Sequence, residues 1–328
     1  MEYTKLGRCD LVVSRIGFGC EQLGGFDWGH VDAGDVVAAV HTALDAGVNF
    51  FDTADVYGLG RSEEMLAKAL GPRRRDVVIA TKFGVNWRTN RSSGRALTFV
   101  DCSPRRVSEA LEGSLQRLKI DCIPLYQIHW PDPKTPIGST LEALTRCQKE
   151  GKIRYIGCSN FRLGVLVAAV GHCTVSSAQT LYSLIDRTAE NDVLRFCKER
   201  NVGVLVYGAL AHGLLTGKYM PGAEFPANDR RSRLPTFTPG GLADKYPVIK
   251  QLQYAAARYG VTPAQVAIRW VLENPAVSCV VTGVKTSRQI EENVGALGWQ
   301  LSQEDRESIT RVASTMTESS SSVESKEG

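Results

Sequence analysis

The strongest constraint on the fold is the alternation of short apolar segments with helical patterns along most of the chain. Eight of these segments have the length of strands and no polar face, which is typical of parallel strands covered on both sides. Because helical patterns separate them, the chain is predicted to form a parallel sheet with right-handed crossovers. The predicted strands cover residues 16–19, 49–52, 77–81, 125–128, 153–158, 176–180, 202–207 and 278–282.

Eight strand–helix units favour a closed (β/α)8 TIM barrel over an open doubly wound sheet. The 328 residues accommodate such a barrel, which takes roughly 250 residues and often carries insertions. No Gly-x-Gly-x-x-Gly segment follows an early strand, which disfavours a Rossmann domain. We predict one barrel domain over residues 1–313, with an N-terminal hairpin within residues 3–14 and a disordered Ser/Glu-rich tail over residues 314–328.

The helices are predicted from apolar periodicity and from their end signals. Ser103 before Pro104 is a typical N-cap, and Thr262 with Gln265 fits a capping box. Four connections at the C-terminal face, where such barrels keep their active sites, are long. The predicted helices cover residues 35–46, 63–70, 104–118, 139–150, 163–170, 189–200, 247–259, 263–272, 287–296 and 303–313, and the long connections cover 20–34, 83–102, 130–138 and 208–246.

Composition excludes several classes of function. A net charge of +4 gives no reason to expect a nucleic-acid or membrane partner, and no apolar run reaches the ~18 residues of a membrane span. The nine cysteines are scattered without a Cys-x-x-Cys pair, and the first residues lack the apolar segment of a signal peptide. We therefore expect reduced thiols, a cytoplasmic location and no metal site, since the histidines also lack metal-ligand spacing.

Polar residues stand at or just after the ends of three successive predicted strands. The strand over residues 49–52 ends in Asp52, and Tyr57 follows in the next loop. The next two strands lead into Lys82 and His129. Because the C-terminal ends of barrel strands surround one mouth, we expect these four side chains to converge.

The residue types of this group indicate proton transfer. A tyrosine with an ordinary pKa of about 10 neither ionises nor donates readily at neutral pH. The Lys82 cation is expected to lower the pKa of Tyr57, and Asp52 to hold the lysine in place. His129 is expected to hydrogen-bond and orient the oxygen of a substrate.

The segments around these residues resemble the aldo-keto reductases, and the resemblance extends from about Tyr3 to Ala313. It implies that Tyr57 is the general acid/base and that a small-molecule carbonyl is the substrate. It is carried by Gly47-Val-Asn-Phe-Phe-Asp-Thr-Ala-Asp-Val-Tyr57, Thr81-Lys82-Phe83-Gly84, Gln127-Ile128-His129-Trp130-Pro131-Asp132, Gly157-Cys-Ser-Asn-Phe161, Leu214-Leu-Thr-Gly-Lys-Tyr219 and Glu292-Asn293.

The resemblance also implies NADPH (or NADP⁺), bound across the barrel mouth without a Rossmann motif. Lys285 and Arg288 precede or begin a helix, where anions bind well, and they favour NADPH over NADH. Thr282 stands where the family usually has proline, which leaves NADH as the alternative. The implied ligands are Ser159, Asn160 and Gln179 for the carboxamide, Tyr207 for stacking on the nicotinamide, Gly208, Leu210, Gly213 and Lys218 for the pyrophosphate, and Gly283, Lys285, Gln289, Glu292 and Asn293 for the adenosine end.

Four aromatic residues on the long connections are predicted to form the substrate pocket, with simple packing within the loops as the alternative. They are Phe26, Trp28, Trp87 and Trp130. Two arginine clusters on these connections are either solvated or suited to an anionic substrate group. The clusters are Arg88, Arg91 and Arg95, and Arg230, Arg231 and Arg233.

The sequence thus predicts an NADPH-dependent oxidoreductase that reduces an aldehyde or ketone to an alcohol. Two alternatives stay open. One is an NAD-dependent sugar dehydrogenase that works in the oxidative direction. The other is a regulatory protein like the nucleotide-sensing β subunits of potassium channels, which share the family's fold.

Overall fold

The computed structural model describes residues 1–25, 27–28, 31–89 and 96–324. Within these ranges the strands are, in chain order, β1 (Tyr3–Lys5), β2 (Val12–Ser14), β3 (Ile16–Gly19), β4 (Phe50–Asp52), β5 (Val78–Phe83), β6 (Val85–Thr89), β7 (Ala96–Val100), β8 (Ile123–Ile128), β9 (Ile153–Ser159), β10 (Val175–Leu181), β11 (Gly203–Tyr207) and β12 (Val277–Gly283).

Eight of these strands close into a parallel barrel. The order is β3-β4-β5-β8-β9-β10-β11-β12, and β12 pairs with β3 to complete the circle. Each barrel strand overlaps one strand predicted from the sequence. The predicted (β/α)8 architecture is therefore confirmed.

Helices follow the barrel strands and cover its outer surface. They are α1 (Ala33–Asp45), α2 (Arg61–Leu70), α3 (Pro104–Leu118), α4 (Ile137–Lys149), α5 (Leu163–His172), α6 (Arg195–Arg200), α7 (Pro239–Tyr259), α8 (Pro263–Leu272), α9 (Ser287–Val294) and α10 (Gln303–Glu324). Short 3₁₀ turns occur at Glu21–Gly24, Gly71–Arg75, Ala211–Thr216, Arg230–Arg233 and Pro235–Phe237, and a π-helical turn at Glu190–Leu194 precedes α6.

The helix-end signals are confirmed. The Ser103 side chain accepts from the backbone N–H of Arg106, and Thr262 and Gln265 form the reciprocal bonds of a capping box. The helix predicted over residues 189–200 is a π-helical turn followed by α6, and two other helices extend well beyond their predicted bounds. Helix α7 begins at Pro239, well before Pro247, because the Thr238 side chain caps an earlier turn. Helix α10 continues past Ala313 to Glu324, and the disorder predicted for the tail over residues 314–328 stays a prediction.

The predicted N-terminal hairpin is formed by β1 and β2. Its Leu6 is fully buried and packs with residues of the barrel interior, among them Phe50 and Leu205. A Cβ atom at Gly7 would lie 2.4 Å from the backbone nitrogen of Gly203, so the turn needs glycine at this close approach. The hairpin therefore closes the end of the barrel opposite the strand C-termini.

The connection over residues 83–102 contains a second hairpin, which the sequence did not predict. Strands β6 and β7 pair antiparallel from Val85 opposite Val100 to Thr89 opposite Ala96. Leu97 and Phe99 on β7 are exposed, so the hairpin stands out from the barrel mouth. Among the described residues, no helix combines the length and apolar character that crossing a bilayer requires.

Candidate active site

Three neighbouring strands bring the predicted catalytic residues together. Asp52 ends β4, Lys82 lies near the end of β5 and His129 follows β8. Lys82 Nζ lies 2.6 Å from Asp52 Oδ2 and 3.5 Å from the Tyr57 hydroxyl. The rings of Tyr57 and His129 meet edge to face with centroids 5.6 Å apart. The predicted convergence is therefore present in the geometry.

The Asp52 carboxylate is held by three side chains. Lys82 occupies Oδ2, while Gln179 Nε2 and Gln127 Nε2 donate to Oδ1 at 2.8 and 3.3 Å. Gln127 in turn accepts from the Ser177 hydroxyl at 3.4 Å. Sequence reasoning placed Gln127 in a motif but gave it no role. Its role could have been predicted from the sequence, because the polar side chain of a glutamine inside a buried strand needs a hydrogen-bond partner.

The pKa of Tyr57 shifts in the direction opposite to the one expected from the sequence. Burial raises its pKa well above the usual value, and Glu21 and Asp52 add to this. The expected lowering by Lys82 does not prevail, because desolvation of the phenolate outweighs it. Tyr57 therefore keeps its proton at neutral pH.

His129 is buried and uncharged. Burial lowers its pKa well below the usual value, and the nearby Lys82 cation lowers it further. Its Nδ1 is buried and has no hydrogen-bond partner among the described residues. The tautomer protonated at Nε2 avoids burying an N–H without an acceptor, and it leaves Nε2–H as the possible donor.

A cavity of about 800 Å³ opens above these residues. It is lined by Asp52, Tyr57 and His129, whereas Lys82 lies behind Tyr57 and is buried. All thirteen predicted cofactor ligands line the same cavity, namely Ser159, Asn160, Gln179, Tyr207, Gly208, Leu210, Gly213, Lys218, Gly283, Lys285, Gln289, Glu292 and Asn293.

The inner end of this cavity carries a chain of amide and hydroxyl groups. Tyr207 donates to Asn160 Oδ1 at 2.6 Å, and Asn160 Nδ2 donates to Ser159 Oγ at 3.1 Å. Ser159 donates to Gln179 Oε1 at 3.3 Å. Each of these groups can exchange its partner for a primary amide, which both donates and accepts.

The outer end of the cavity is cationic. Lys218, Lys285 and Arg288 line it, and Arg288 belongs to the first turn of α9. The N-cap residue of this helix, Thr286, makes no side-chain cap. Burial and the nearby Arg231 lower the pKa of Lys285. Open backbone N–H groups at a helix N-terminus and nearby cations suit a phosphate.

Two of the four predicted aromatic residues, Trp28 and Trp130, line the cavity. The structure places Trp87 elsewhere, because its ring covers the guanidinium of Arg106 at 5.2 Å. Arg106 is fixed there by a 2.6 Å ion pair with buried Asp55. Phe26 lies outside the described residues.

The members of the two arginine clusters lie in different surroundings. Arg230 lines the cavity and pairs with Glu21. Arg231 pairs with Asp229 and also lines the cavity, whereas Arg233 pairs with Asp27 at 2.7 Å. Arg88 is exposed and lies over the Phe99 ring at 5.3 Å. Arg91 and Arg95 lie outside the described residues.

Sequence reasoning also missed several lining residues. Glu21, Gln22, His212 and Thr216 stand on the irregular connections after β3 and β11. No period or motif marks them, because the path of each connection decides which side chains face inward.

Known proteins with similar sequences are aldo-keto reductases. A model of the aldo/keto reductase family matches residues 15–314. The aldo-keto reductase YhdN of Bacillus subtilis is 35% identical over 315 residues, covering 95% of this chain and 93% of that protein. An NADH-specific methylglyoxal reductase of Escherichia coli is 32% identical over 331 residues, covering 96% and 99%.

The solved structures agree. The structure of a glycerol dehydrogenase from Gluconobacter oxydans is 33% identical and superimposes with a TM-score of 0.88, covering 96% of this chain and 95% of the other. The resemblance found in the sequence motifs is thereby confirmed. The chain belongs to the aldo-keto reductase family of NAD(P)H-dependent oxidoreductases.

Proposed function

We propose that the protein reduces an aldehyde or ketone to an alcohol with NADPH, and that Tyr57 supplies the proton. The observation that carries this proposal is the contact of Tyr57 with Lys82 at 3.5 Å, at the floor of a cavity that His129 also lines. When bound, the nicotinamide supplies the hydride to the carbonyl carbon. The residues of this chain bind, orient and protonate.

The two ends of the cavity fit such a cofactor. The hydroxyl and amide groups of Ser159, Asn160 and Gln179 suit a carboxamide, and they already exchange hydrogen bonds with one another. Lys218, Lys285 and Arg288 suit phosphate groups at the other end. These residues would hold the nicotinamide end and the phosphate end respectively.

The proton step follows from the protonation states. Tyr57 holds its proton because burial raises its pKa, so the hydroxyl can donate to the carbonyl oxygen as negative charge develops there. The phenolate that results lies beside the Lys82 ammonium, which stabilises it. Neutral His129 donates from Nε2 to the same carbonyl oxygen and orients it.

We propose NADPH, and not NADH, as the preferred nucleotide. Arg288 and Lys285 favour the additional phosphate of NADPH. The similarity to an NADH-specific reductase supports NADH as the alternative, and the similarity to a glycerol dehydrogenase supports an oxidative direction. Steady-state rates with NADPH, NADH, NADP⁺ and NAD⁺ separate these cases. The regulatory alternative requires nucleotide binding without turnover of any carbonyl.

The nine cysteines are free thiols in the structure. Cys20 lines the cavity, but burial raises its pKa well above the usual value, so it is a poor nucleophile. The cytoplasmic location predicted from the scattered cysteines stays a prediction, and cell fractionation with a specific antibody tests it.

The test of the function is Tyr57→Phe, measured by fluorescence titration with NADPH and by NADPH consumption over a carbonyl panel. We expect turnover to fall by about 10²–10⁴-fold, since a positioned acid is lost, while the Kd for NADPH stays within about twofold. Tyr254→Phe is the matched control, because this tyrosine is 61% exposed and does not line the cavity. Near-normal turnover in Tyr57→Phe, or no binding of either nucleotide by the wild type, would refute the proposal.

A further inference from the structure

A charged pair lies in the cavity beside the reaction site and takes no part in the chemistry proposed above. Arg230 Nη2 donates to Glu21 Oε1, and the two side chains are 27% and 30% exposed. Both residues line the cavity together with Tyr57 and His129. Burial has the largest effect on the pKa of Tyr57 and raises it; Glu21 raises this pKa further, and Arg230 lowers it. Both charges are therefore close enough to act electrostatically on the Tyr57 hydroxyl.

The guanidinium is pre-organised by its surroundings. It lies 4.6 Å over the ring of Trp28, and the Arg230 backbone N–H donates to the carbonyl of Asp27 at 3.0 Å. Trp28 also forms an isolated β-bridge with Asp229. A polar group held in this way loses little side-chain entropy when it binds a ligand.

The pair presents both kinds of hydrogen-bonding group. Arg230 uses Nη2 and Glu21 uses Oε1, and the other guanidinium N–H groups and Glu21 Oε2 show no hydrogen-bond partner among the residues that the structure describes. A hydroxyl group, which donates and accepts, satisfies both sides at once. A carboxylate or phosphate only accepts, and Glu21 repels it.

We propose that Glu21 and Arg230 form a specificity-determining subsite that binds a hydroxyl group of the substrate close to its carbonyl. The preferred substrate class is then the hydroxy-aldehydes and hydroxy-ketones, and carbonyl compounds that carry a carboxylate are disfavoured. This inference rests on the proposed function, because it takes Tyr57 as the group that faces the carbonyl oxygen.

The experiment compares kcat/KM for propanal, 2-hydroxypropanal and glyoxylate in the wild type and in Glu21→Gln. In the wild type we expect 2-hydroxypropanal to exceed propanal by about tenfold or more, since hydrogen bonds to charged groups are strong. In Glu21→Gln this preference falls to about threefold or less. The ratio of glyoxylate to 2-hydroxypropanal rises by about tenfold or more, because the Arg230 charge is no longer neutralised.

Glu112→Gln is the matched control. Glu112 pairs with Lys152 at 2.6 Å on an exposed surface outside the cavity, so this variant makes the same charge change without touching the subsite. We expect its three ratios to equal those of the wild type. Arg230→Gln should lower kcat/KM for 2-hydroxypropanal and not raise it for glyoxylate.

The outcomes separate the two proposals. If the wild type turns over none of these aldehydes and no ketone of the carbonyl panel, the proposed function fails. If it reduces propanal and 2-hydroxypropanal equally well, the function stands and the subsite is refuted. An equal loss of kcat/KM on all three substrates in Glu21→Gln would mean that the pair only joins two loops. A higher Kd for NADPH in this variant would mean that the pair closes over the cofactor. Either result would also refute the proposed subsite.

Discussion

Asp52 Oδ2 lies 2.6 Å from Lys82 Nζ, and the two side chains are only 6% and 1% exposed. The ammonium also donates to the Thr53 carbonyl at 2.8 Å, which fixes it under the Tyr57 hydroxyl. Removing one partner of a buried ion pair leaves the other charge uncompensated, at a cost of about 3–5 kcal/mol. The groups that support the proposed proton transfer therefore also contribute to the stability of the barrel mouth.

Lys82→Met should lower turnover by about 10²-fold or more, because the phenolate loses its stabilising cation. It should also destabilise the fold, since Asp52 is left charged and buried. The double variant Lys82→Met/Asp52→Asn should regain part of the lost free energy of unfolding without regaining activity. Urea unfolding and NADPH consumption measure the two effects. A double variant that is less stable than the single one would contradict this account.

Gln127→Leu should lower kcat by about tenfold or less with a smaller change in KM, because Asp52 loses one of its three hydrogen bonds. Ser177→Ala is the control, since it removes only the bond from Ser177 to Gln127 and keeps the contact with Asp52. We expect the control to retain most of the wild-type kcat. Equal losses in both variants would contradict this account, because Ser177→Ala keeps the hydrogen bond from Gln127 to Asp52.

Much of the fold was predictable because its information is local. Each barrel strand is a contiguous apolar segment, and the active-site residues stand at or just after strand ends, so a correct strand assignment brings Asp52, Lys82 and His129 together. The same argument holds for the helix caps at Ser103 and Thr262, since the capping residue and its partner lie within three residues.

The loops were not predictable in this way. Trp87 was expected in the substrate pocket, but its ring packs on Arg106, whose position depends on an ion pair with Asp55 far along the chain. Glu21 and Arg230 meet although long stretches of sequence separate them, and no pattern links them. The pKa of Tyr57 also depends on burial, which residue identity alone does not give.

Asp55 should make stability depend on pH. It is fully buried, and burial raises its pKa from 3.8 to about 7 although Arg106 opposes the shift. Between about pH 4 and 7 the native state then binds more protons than the unfolded state, so the free energy of unfolding falls as pH rises, by at most about 1.4 kcal/mol per pH unit. Asp55→Asn stays neutral and should lack this slope.

Urea unfolding at about pH 5, 6 and 7 measures the effect as the difference in slope between the wild type and Asp55→Asn. Asp45→Asn is the control, because Asp45 forms an exposed ion pair with Arg73 and its side chain is 75% exposed. The slope of this control should follow the wild type. Identical slopes in all three proteins would show that Asp55 is ionised throughout this range.

Arg288→Ala should weaken NADPH binding much more than NADH binding. Arg288 lines the cationic end of the cavity in the first turn of α9. In the proposed binding mode its charge pairs with the additional phosphate of NADPH, which NADH lacks. The Kd for NADPH should rise by about tenfold or more, as expected for loss of a charge-assisted hydrogen bond, and the Kd for NADH by about twofold or less. Fluorescence titration gives both constants.

Arg105→Ala is the control, because this arginine is 83% exposed and does not line the cavity. Equal weakening for both nucleotides in Arg288→Ala would place Arg288 on a group that they share and would remove its role in choosing between them.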